Sequence, residues 1–553
     1  MSDDQPTADE SRAILAQPLA PTGVRGLDQV LGQGLPRGAL AIIMGPPGSG
    51  KTVLANQIAF AAARAGQRAV VFTALAESTS NLIIHLRSFT FFDDELVGNM
   101  VQLLSMQQFL RGGLRAAGDE LVAAARRARA SVVVLDGFRG VRGVDLDPQA
   151  ARQFLYDVGT TLSVLGGTTI ITSEADPRDP AFFPEATTAD VIIGLHYTLN
   201  GVRQMRALEA IKVRGSAPLP GLHGLQIENE GAVVYPRLEA RIGMTSRRQM
   251  ERTLTTLGAD TAIPESAAGD PVPFGVAELD TLLGGGLTRD TSTLLAGGPG
   301  TGKTLISLLF ALAGARAGEP TVFLGFRESL RQLLLKADSF GVGGHLREAL
   351  RQGGLLTLLR WAPVELTPDI VADQLLTVLD RVGARRLVVD SISEVERAVL
   401  GSGNGGRVDN YLGALIEALR DRSVTGIFIK ETRQSVGSRV DFADEPASVL
   451  AENVLLLEQL EQRGGLHRVL SVLKTRFAAH DATLWEFAIA PPDGIRLIAP
   501  LRRDVETPVG TTFDPSRTGA GPSQSEPPRG HASRRGQSSG QGTEGASPPE
   551  TRR

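Results

Sequence analysis

Two glycine-rich stretches of this 553-residue chain have the spacing G-x-x-x-x-G-K-[ST]. Glycines at these positions let consecutive backbone N–H groups turn inward around a phosphate, and a helix that follows adds positive potential. The lysine is expected to reach the β- and γ-phosphates and the threonine to ligate Mg²⁺. A glycine-rich turn with a solvated lysine is the alternative, but two complete matches favour a nucleoside triphosphate site. The predicted binding residues are Gly45, Pro46, Pro47, Gly48, Ser49, Gly50, Lys51 and Thr52, and Gly297, Gly298, Pro299, Gly300, Thr301, Gly302, Lys303 and Thr304.

Four carboxylates follow apolar runs that are typical of buried strands. Asp136 and Asp390 end such runs, where a carboxylate reaches Mg²⁺ directly or through water; an aspartate that opens a turn is the alternative. Glu77 and Glu328 follow the strand after each glycine-rich loop and its helix. A carboxylate there can polarise the group that attacks the γ-phosphate, or it can simply be a charge favoured at a helix N-terminus. The predicted metal ligands are therefore Thr52, Asp136, Thr304 and Asp390.

A Lys-x-Arg pair occurs late in each half of the chain, as Lys212 with Arg214 and as Lys474 with Arg476. Alternation along a strand places both side chains of a pair on one face, about 7 Å apart. Such a pair is usually a solvated edge. Phosphoryl transfer at a glycine-rich loop often needs an external cation, however, and in a ring of subunits the pair could reach a neighbour's nucleotide.

These residues recur because the chain contains two copies of one unit. GVRGLDQVLGQGLPRG at 23–38 matches GVAELDTLLGGGLTRD at 275–290, and the glycine-rich loops keep the same offset of 252 positions. The two aspartates are offset by 254 positions and the two lysines of the Lys-x-Arg pairs by 262. In each copy, apolar strand patterns alternate with helical patterns. This alternation predicts an α/β fold whose mainly parallel sheet is covered by helices on both faces.

The copies suggest a division into five segments. We expect an N-terminal arm at 1–19, a first domain at 20–245, a linker at 246–264, a second domain at 265–500 and a tail at 501–553. The tail is rich in Pro, Gly, Ser, Gln and Arg and has almost no apolar residues, so it is predicted to be disordered.

Composition excludes several classes of function. The chain has no cysteine, which rules out disulfides, thiolate metal sites and cysteine nucleophiles. Its net charge of −4 argues against a chain-wide basic surface for nucleic acid or anionic membrane. No apolar run approaches the ~20 residues of a membrane span, and the acidic start does not resemble a signal peptide. We therefore expect a cytoplasmic protein with no membrane partner.

In these motifs the chain resembles the KaiC family, double-domain circadian clock ATPases within the RecA-like superfamily. The resemblance covers about 20–495 and rests on the GLDQVLGQGLPRG segment and its copy, both glycine-rich loops, the AES and RES turns, LDG and VDS, and both Lys-x-Arg pairs. It implies two tandem RecA-like P-loop domains that bind ATP with Mg²⁺ at the subunit interfaces of a homo-oligomeric ring, usually a hexamer. It also implies that Lys212, Arg214, Lys474 and Arg476 contact nucleotide in trans.

The chain departs from the family at two places. The family has two adjacent glutamates after the second strand, whereas this chain has Ala76-Glu77 and Arg327-Glu328. An arginine cannot accept a proton and can pair instead with phosphate or with the neighbouring glutamate. The family's adjacent Ser-Thr phosphoacceptors align with Ser448-Val449, so Ser448 is the candidate for serine autokinase activity, or merely a turn hydroxyl. Both departures argue against the autokinase reaction and for slow hydrolysis.

Three functions remain open from the sequence. The first is a KaiC-like ring ATPase that acts as a signalling or timing switch through protein partners. The second is a RecA-type DNA strand-exchange protein or helicase, which needs basic loops; the segments at 176–190 and 434–448 are acidic on balance, so nucleic acid is not the expected partner. The third is a scaffold in which ATP joins subunits with little turnover.

Overall fold

The computed structural model describes most of both halves of the chain. The described residues are 19–73, 79–106, 109, 113–137, 148–177, 188–200, 202–246, 270–351, 353–402, 405–432, 451–462, 465–477, 480, 483–491 and 494–501. Nearly all of the predicted N-terminal arm, of the linker and of the tail lies outside them.

The first half contains a short two-stranded pairing and one large sheet with its helices. Its strands are β1 (Leu19–Ala20), β2 (Leu35–Pro36), β3 (Leu40–Met44), β4 (Ala69–Thr73), β5 (Val101–Ser105), β6 (Val132–Leu135), β7 (Thr168–Ser173), β8 (Val191–Asn200), β9 (Arg203–Val213), β10 (His223–Glu228) and β11 (Gly231–Tyr235). Its helices are α1 (Leu27–Leu31), α2 (Lys51–Arg64), α3 (Thr79–Leu86), α4 (Leu114–Ala128) and α5 (Pro148–Val164). A further helical segment occupies 238–246.

The second half repeats this arrangement. Its strands are β12 (Ser292–Gly297), β13 (Thr321–Gly325), β14 (Leu356–Arg360), β15 (Arg386–Asp390), β16 (Thr425–Glu431), β17 (Asn453–Gln462), β18 (Gly465–Thr475), β19 (Trp485–Ala490) and β20 (Gly494–Pro500). Its helices are α6 (Ala277–Leu282), α7 (Lys303–Arg316), α8 (Leu330–Ser339), α9 (Gly343–Ala349), α10 (Pro368–Val382), α11 (Ile392–Gly401) and α12 (Val408–Arg420). A 3₁₀ turn at Gly405–Arg407 precedes α12.

The two large sheets have the same strand order. The first runs β5-β4-β6-β7-β3-β8-β9-β10-β11 and the second runs β14-β13-β15-β16-β12-β17-β18-β19-β20. In each sheet the first six strands are parallel and the last three continue it antiparallel. The predicted duplication and the α/β class with mainly parallel sheets are therefore confirmed.

Burial explains why the central strands and helices form where they do. β3 and β12 are apolar throughout except for Ser292, Thr293 and Gly297, and every residue of both strands is buried, as expected of strands covered on both faces. The helices α2 and α7 follow these strands and are buried on several sides, so they bear apolar residues around much of their circumference rather than along one stripe. Each glycine-rich loop is thereby held between two buried elements.

The antiparallel extension of each sheet is the main feature that the sequence did not predict. β8 pairs with β9 and β17 with β18 over ten or more residues, with a register irregularity near the start of β8 and of β17.

None of the helices in the described ranges is both long enough and apolar enough to cross a membrane.

Candidate nucleotide-binding sites

Both glycine-rich loops leave the carboxyl end of a central strand and enter a buried helix. Gly45 follows β3, and its N–H donates to the Ser173 carbonyl at 3.1 Å, so the first loop begins beside the end of β7. In the second half the carbonyl of Gly297 accepts from the Thr432 N–H at 3.1 Å, beside the end of β16. The strand–loop–helix context that a phosphate-binding loop requires is present twice.

A glycine is required at the last loop position before each helix. Gly50 and Gly302 have φ values of 103° and 101°, which side chains rarely adopt. A Cβ atom at Gly302 would also lie 2.7 Å from Cδ1 of Ile489 in β19, and one at Gly50 would lie 2.9 Å from Cδ1 of Ile227 in β10. The antiparallel extension of each sheet therefore packs directly against the phosphate loop.

The two loop lysines cap their own loops. Lys51 Nζ donates to the carbonyls of Gly45 and Pro46, both at 2.9 Å. Lys303 Nζ donates to the carbonyls of Gly297 at 2.9 Å and Gly298 at 2.6 Å. Burial lowers the pKa of both lysines, while neighbouring carboxylates act in the opposite direction. A phosphate entering the loop would satisfy the same ammonium group.

Each loop threonine lies against the aspartate predicted to share its metal ion. Thr304 Oγ1 donates to Asp390 Oδ2 at 2.8 Å, and Thr52 Oγ1 donates to Asp136 Oδ1 at 3.3 Å. Asp136 also accepts from Thr172 Oγ1 at 2.6 Å. Within the described ranges no group of three or more His, Asp or Glu side chains could hold a metal ion. One hydroxyl with one carboxylate fits Mg²⁺, which takes few protein ligands and completes its shell with phosphates and water.

Burial affects the ionisation of Asp390. It raises the pKa of this carboxyl above the usual value, and the hydrogen bond from Thr304 only partly opposes the rise. The nearby charge of Glu328 raises the pKa further, whereas Lys336 and Lys303 lower it. A divalent cation beside Asp390 would favour its ionised form.

Of the two predicted catalytic glutamates, the structure places one. Glu328 Oε1 accepts from Lys336 Nζ in α8, and its Oε2 is buried with no hydrogen-bond partner among the described atoms. Its side chain lies close enough to Asp390 to affect the pKa of that carboxyl. Glu77 and Ser448 lie outside the described residues, as do most of the segments at 176–190 and 434–448, so their roles stay predictions.

Arg327 does not pair with Glu328, one of the partners considered from the sequence. Its Nε donates to Glu394 Oε1 at 2.8 Å, and its Nη1 donates to both carboxylate oxygens of Glu431 at 2.9 and 3.1 Å. Arg397 Nη2 lies 2.6 Å from the same oxygen of Glu394. The family that this chain resembles has a carboxylate at this position, whereas this chain has an arginine that pairs with two carboxylates.

The Lys-x-Arg pairs lie far from the glycine-rich loops of their own halves. Lys212 is opposite Ile192 in the register of β8 and β9, and Ile192 is level with Ile42 in the middle of β3, whereas the loop leaves the end of β3. Arg214 follows β9, and its Nη1 lies 2.9 Å from Asp190 Oδ1. The backbone hydrogen bonds from Arg214 to Asp190 and from Asp190 to Leu40 place Arg214 level with the start of β3. Along the strand, Lys212 is therefore roughly 10 Å and Arg214 roughly 16 Å before the level of Gly45.

The second pair is placed in the same way. Lys474 is opposite Val454, level with Leu294 near the start of β12, and its Nζ donates to the Ala451 carbonyl at 2.7 Å. Arg476 follows β18. In each half the lysine is therefore level with the third residue of the loop-bearing strand, and the arginine follows it toward the amino end of that strand, away from the loop.

Sequence reasoning missed one carboxylate in each half. Glu174 follows β7 and Glu431 ends β16, the strands that neighbour the loop-bearing strands β3 and β12. Their charges raise the pKa of Lys51 and Lys303, respectively, against the effect of burial. The signal available in the sequence was an acidic residue directly after the fourth parallel strand pattern of each copy.

It also missed an arginine that contacts each loop from the antiparallel extension. Arg206 Nε donates to the Gly48 carbonyl at 3.1 Å, and Arg468 Nε donates to the Gly300 carbonyl at 3.4 Å. The guanidinium of Arg206 also lies 4.8 Å from the ring centroid of Tyr197. The two arginines are 262 positions apart, the offset already seen for the Lys-x-Arg pairs, so the repeat could have revealed them.

Duplicated mainly parallel sheets, each with a glycine-rich loop, a loop lysine and a threonine–aspartate pair, define a tandem P-loop ATPase with two RecA-like halves. The family model "ATPase: KaiC" matches residues 20–239 and again 272–502. The chain belongs to this KaiC ATPase family.

Several circadian clock oscillator proteins KaiC are similar to the chain over most of its length. The one from a Picosynechococcus strain is 27% identical over 499 residues, which cover 88% of this chain and 91% of that protein. The one from Thermostichus vulcanus is 27% identical over 480 residues, 85% of this chain and 87% of that protein. The one from a Nostoc strain is 28% identical over 480 residues, with the same shares of each.

Proposed function

We propose that the chain forms a homo-oligomeric ring, a hexamer in the family's manner, that binds Mg²⁺–ATP at subunit interfaces and hydrolyses it. The units 20–245 and 265–500 act as its two ATPase domains. The nucleotide state of the ring would serve as a signalling or timing switch read by protein partners. The clock role belongs to the similar proteins by their names and comes to this chain only as part of this proposal.

The placement of the Lys-x-Arg pairs is the observation that supports nucleotide binding at subunit interfaces. Lys212 is level with the middle of β3 and Arg214 with its start, whereas the loop begins at Gly45, after the end of β3. Both side chains therefore start from backbone positions that lie away from the phosphate loop of their own half. In a head-to-tail ring the same surface of one subunit meets the loop of the next, which gives the pair a phosphate to bind.

Within each site the roles follow from the contacts. The loop N–H groups and Lys51 or Lys303 would bind the phosphates, and Thr52 with Asp136 or Thr304 with Asp390 would hold Mg²⁺, which neutralises charge on the transferring phosphoryl group. Glu328, and Glu77 by the repeat, would orient the attacking water. Lys336 holds Glu328 in an ion pair.

A nucleotide-dependent scaffold with little turnover is the second candidate. It is favoured by Arg327, which occupies the position of the family's first glutamate, and by Lys336, which holds Glu328 in an ion pair. Serine autokinase activity at Ser448 stays a prediction, and the intact mass of the protein after incubation with Mg²⁺–ATP decides it.

Mixing two inactive variants tests the interface. Both variants carry Lys303→Ala, so that any hydrolysis comes from the first-half sites. One variant also carries Lys51→Ala, and the other also carries Arg214→Ala. In a mixed ring about a quarter of the interfaces pair an intact loop with an intact arginine, so hydrolysis should exceed that of either variant alone. Native mass of the mixture, with and without Mg²⁺–ATP, confirms co-assembly.

Three other outcomes have distinct meanings. Co-assembled rings that show no gain in hydrolysis would contradict action of Arg214 in trans. A wild-type ring that assembles with ATP but does not hydrolyse it would support the scaffold. A chain that stays monomeric with and without ATP would contradict both candidates.

A further inference from the structure

Glu431 is held beside the first residue of the second phosphate loop. It ends β16, and its Cα is the register partner of Gly297, where the loop begins. The next residue, Thr432, donates its N–H to the Gly297 carbonyl, the same carbonyl that accepts from Lys303 Nζ at 2.9 Å. Neighbouring strands are about 4.8 Å apart, so this carboxylate borders the space that phosphates would enter.

Arg327 neutralises this carboxylate from beyond the end of β13, two strands away from β16 in the sheet. It follows β13, and its Nη1 donates to both oxygens of Glu431 while its Nε donates to Glu394. Glu394 is almost fully buried at the start of α11, whereas the side chain of Arg327 is half exposed. Burial lowers the pKa of Lys303; Glu431 raises it and Arg327 lowers it, so both charges reach the loop lysine.

The effect of this arrangement depends on how many phosphates are bound. An uncompensated carboxylate beside the loop would repel the outermost phosphate most strongly, because Coulomb energy falls with distance. A guanidinium bonded to the carboxylate screens that repulsion, and a half-exposed guanidinium can also donate to phosphate oxygens. A diphosphate lacks the outermost group and would gain much less.

We propose that Arg327 sets the preference of the second site for nucleoside triphosphate over diphosphate, by neutralising Glu431 and donating to the terminal phosphate. This inference rests on the proposed nucleotide binding of the second half. Arg327 acts here as a specificity-determining residue, and Glu394 positions it from buried surroundings.

The first half provides a comparison within the same chain. Glu174 occupies the place that corresponds to Glu431, and its charge raises the pKa of Lys51. The position matched to Arg327 is Ala76, which has no charge. The first site therefore lacks an arginine at this position and should prefer triphosphate less strongly than the second site.

The experiment measures the affinity of the second site alone for Mg²⁺–AMP-PNP, a non-hydrolysable triphosphate, and for Mg²⁺–ADP. The parent carries Lys51→Ala, which silences the first site. Arg327→Gln should lower the triphosphate-to-diphosphate affinity ratio about tenfold, mainly through weaker triphosphate binding. Arg327→Lys should retain part of the ratio, because it keeps the charge but not the fork of donors.

The variant Glu431→Gln should change the triphosphate-to-diphosphate affinity ratio in the opposite direction. It therefore checks whether the effect of Arg327→Gln is merely structural. It removes the repulsive charge and releases Arg327, so the ratio should rise a few-fold, and the double variant Arg327→Gln with Glu431→Gln should recover most of the loss. An unchanged ratio in Arg327→Gln would overturn the proposal. If that variant does not fold, a lowered ratio in Glu431→Gln overturns it instead. A parent that binds neither nucleotide would refute the proposed function rather than this inference.

Discussion

At the scale of single residues, Asp390 shows a cost in stability that nucleotide binding would explain. Its carboxyl is buried at the end of β15, and burial raises its pKa although Thr304 donates to it at 2.8 Å. Between the unfolded value of about 3.9 and the raised folded value, the folded state binds more protons than the unfolded state. This group therefore makes the free energy of unfolding decrease as pH rises through that window.

The variant Asp390→Asn should stabilise the nucleotide-free protein while removing a metal ligand. At neutral pH we expect the free energy of unfolding of its second half to rise by about 1 kcal/mol. This gain should become smaller at acidic pH, because the wild-type carboxyl then protonates. Calorimetry across pH measures this. Mg²⁺ should no longer improve ATP binding at the second site. The exposed Asp119→Asn in α4 is the control and should change neither quantity; a destabilised Asp390→Asn would contradict the account.

The predicted site residues differ in how well the sequence could locate them. Lys303 and Thr304 follow from local spacing, since a loop and the helix after it are contiguous in the chain. Glu431 was missed because its closeness to Gly297 arises from pairing between β12 and β16, strands more than a hundred residues apart. Arg327 was noticed, but its partner Glu394 could not be predicted, because that contact depends on how α11 leaves its strand.

At the scale of elements, the phosphate loop depends on the antiparallel extension packed against it. Ile489 of β19 lies where a side chain at Gly302 would point, and Ile227 of β10 lies similarly at Gly50. The loop conformation is therefore fixed by a strand that is distant in the sequence as well as by its own glycines.

Gly302→Ala should be destabilising and should weaken triphosphate binding at the second site. The strain of a positive φ and the 2.7 Å approach to Ile489 should together cost about 1–3 kcal/mol. Gly344→Ala is the matched control: it lies in α9 with no atom within 4 Å of its added Cβ, so it should be neutral or stabilise by up to ~1 kcal/mol. Urea unfolding of both variants tests this, and equal stabilities would contradict the assigned packing.

The sequence predicted the central strands and missed the antiparallel ones for a physical reason. β6 is short, apolar and buried, and so are the three central residues of β15, so composition alone indicates both strands. β9 and β18 are long, half-exposed strands of mixed composition, so their composition does not indicate them, although Asn200-Gly201 and Gly464-Gly465 are hairpin signals at the turns before them. Their structure depends on pairing with β8 and β17.

At the scale of the whole molecule, a buried ion cluster joins the two halves. Arg407, which precedes α12, binds Glu239 of the first half and Asp369 of α10. Burial raises the pKa of Asp369, and the two carboxylates raise that of Arg407 against the effect of burial. Arg241 adds a second link to Asp373 at 3.3 Å. Arg203 also donates to Thr367 at 2.8 Å, and Leu238 packs into the core of the second half, so the charged cluster acts together with polar and apolar contacts between the halves.

Arg407→Met should separate the unfolding of the two halves. Two buried carboxylates would lose their cation, which costs about 3–5 kcal/mol. We expect calorimetry of this variant to resolve two thermal transitions, whereas those of the wild type should overlap more. Arg422→Met removes the exposed pair with Asp380 and should change stability by less than ~1 kcal/mol. If the two variants behaved alike, the cluster would not join the halves.

The most direct test of the account is the number of Mg²⁺–ATP molecules bound per chain, measured by equilibrium dialysis at saturating nucleotide without hydrolysis. The account predicts two for the wild type, one for Lys51→Ala, one for Lys303→Ala and none for the double variant. Wild-type protein that binds no ATP, or a double variant that binds as much as the wild type, would contradict it.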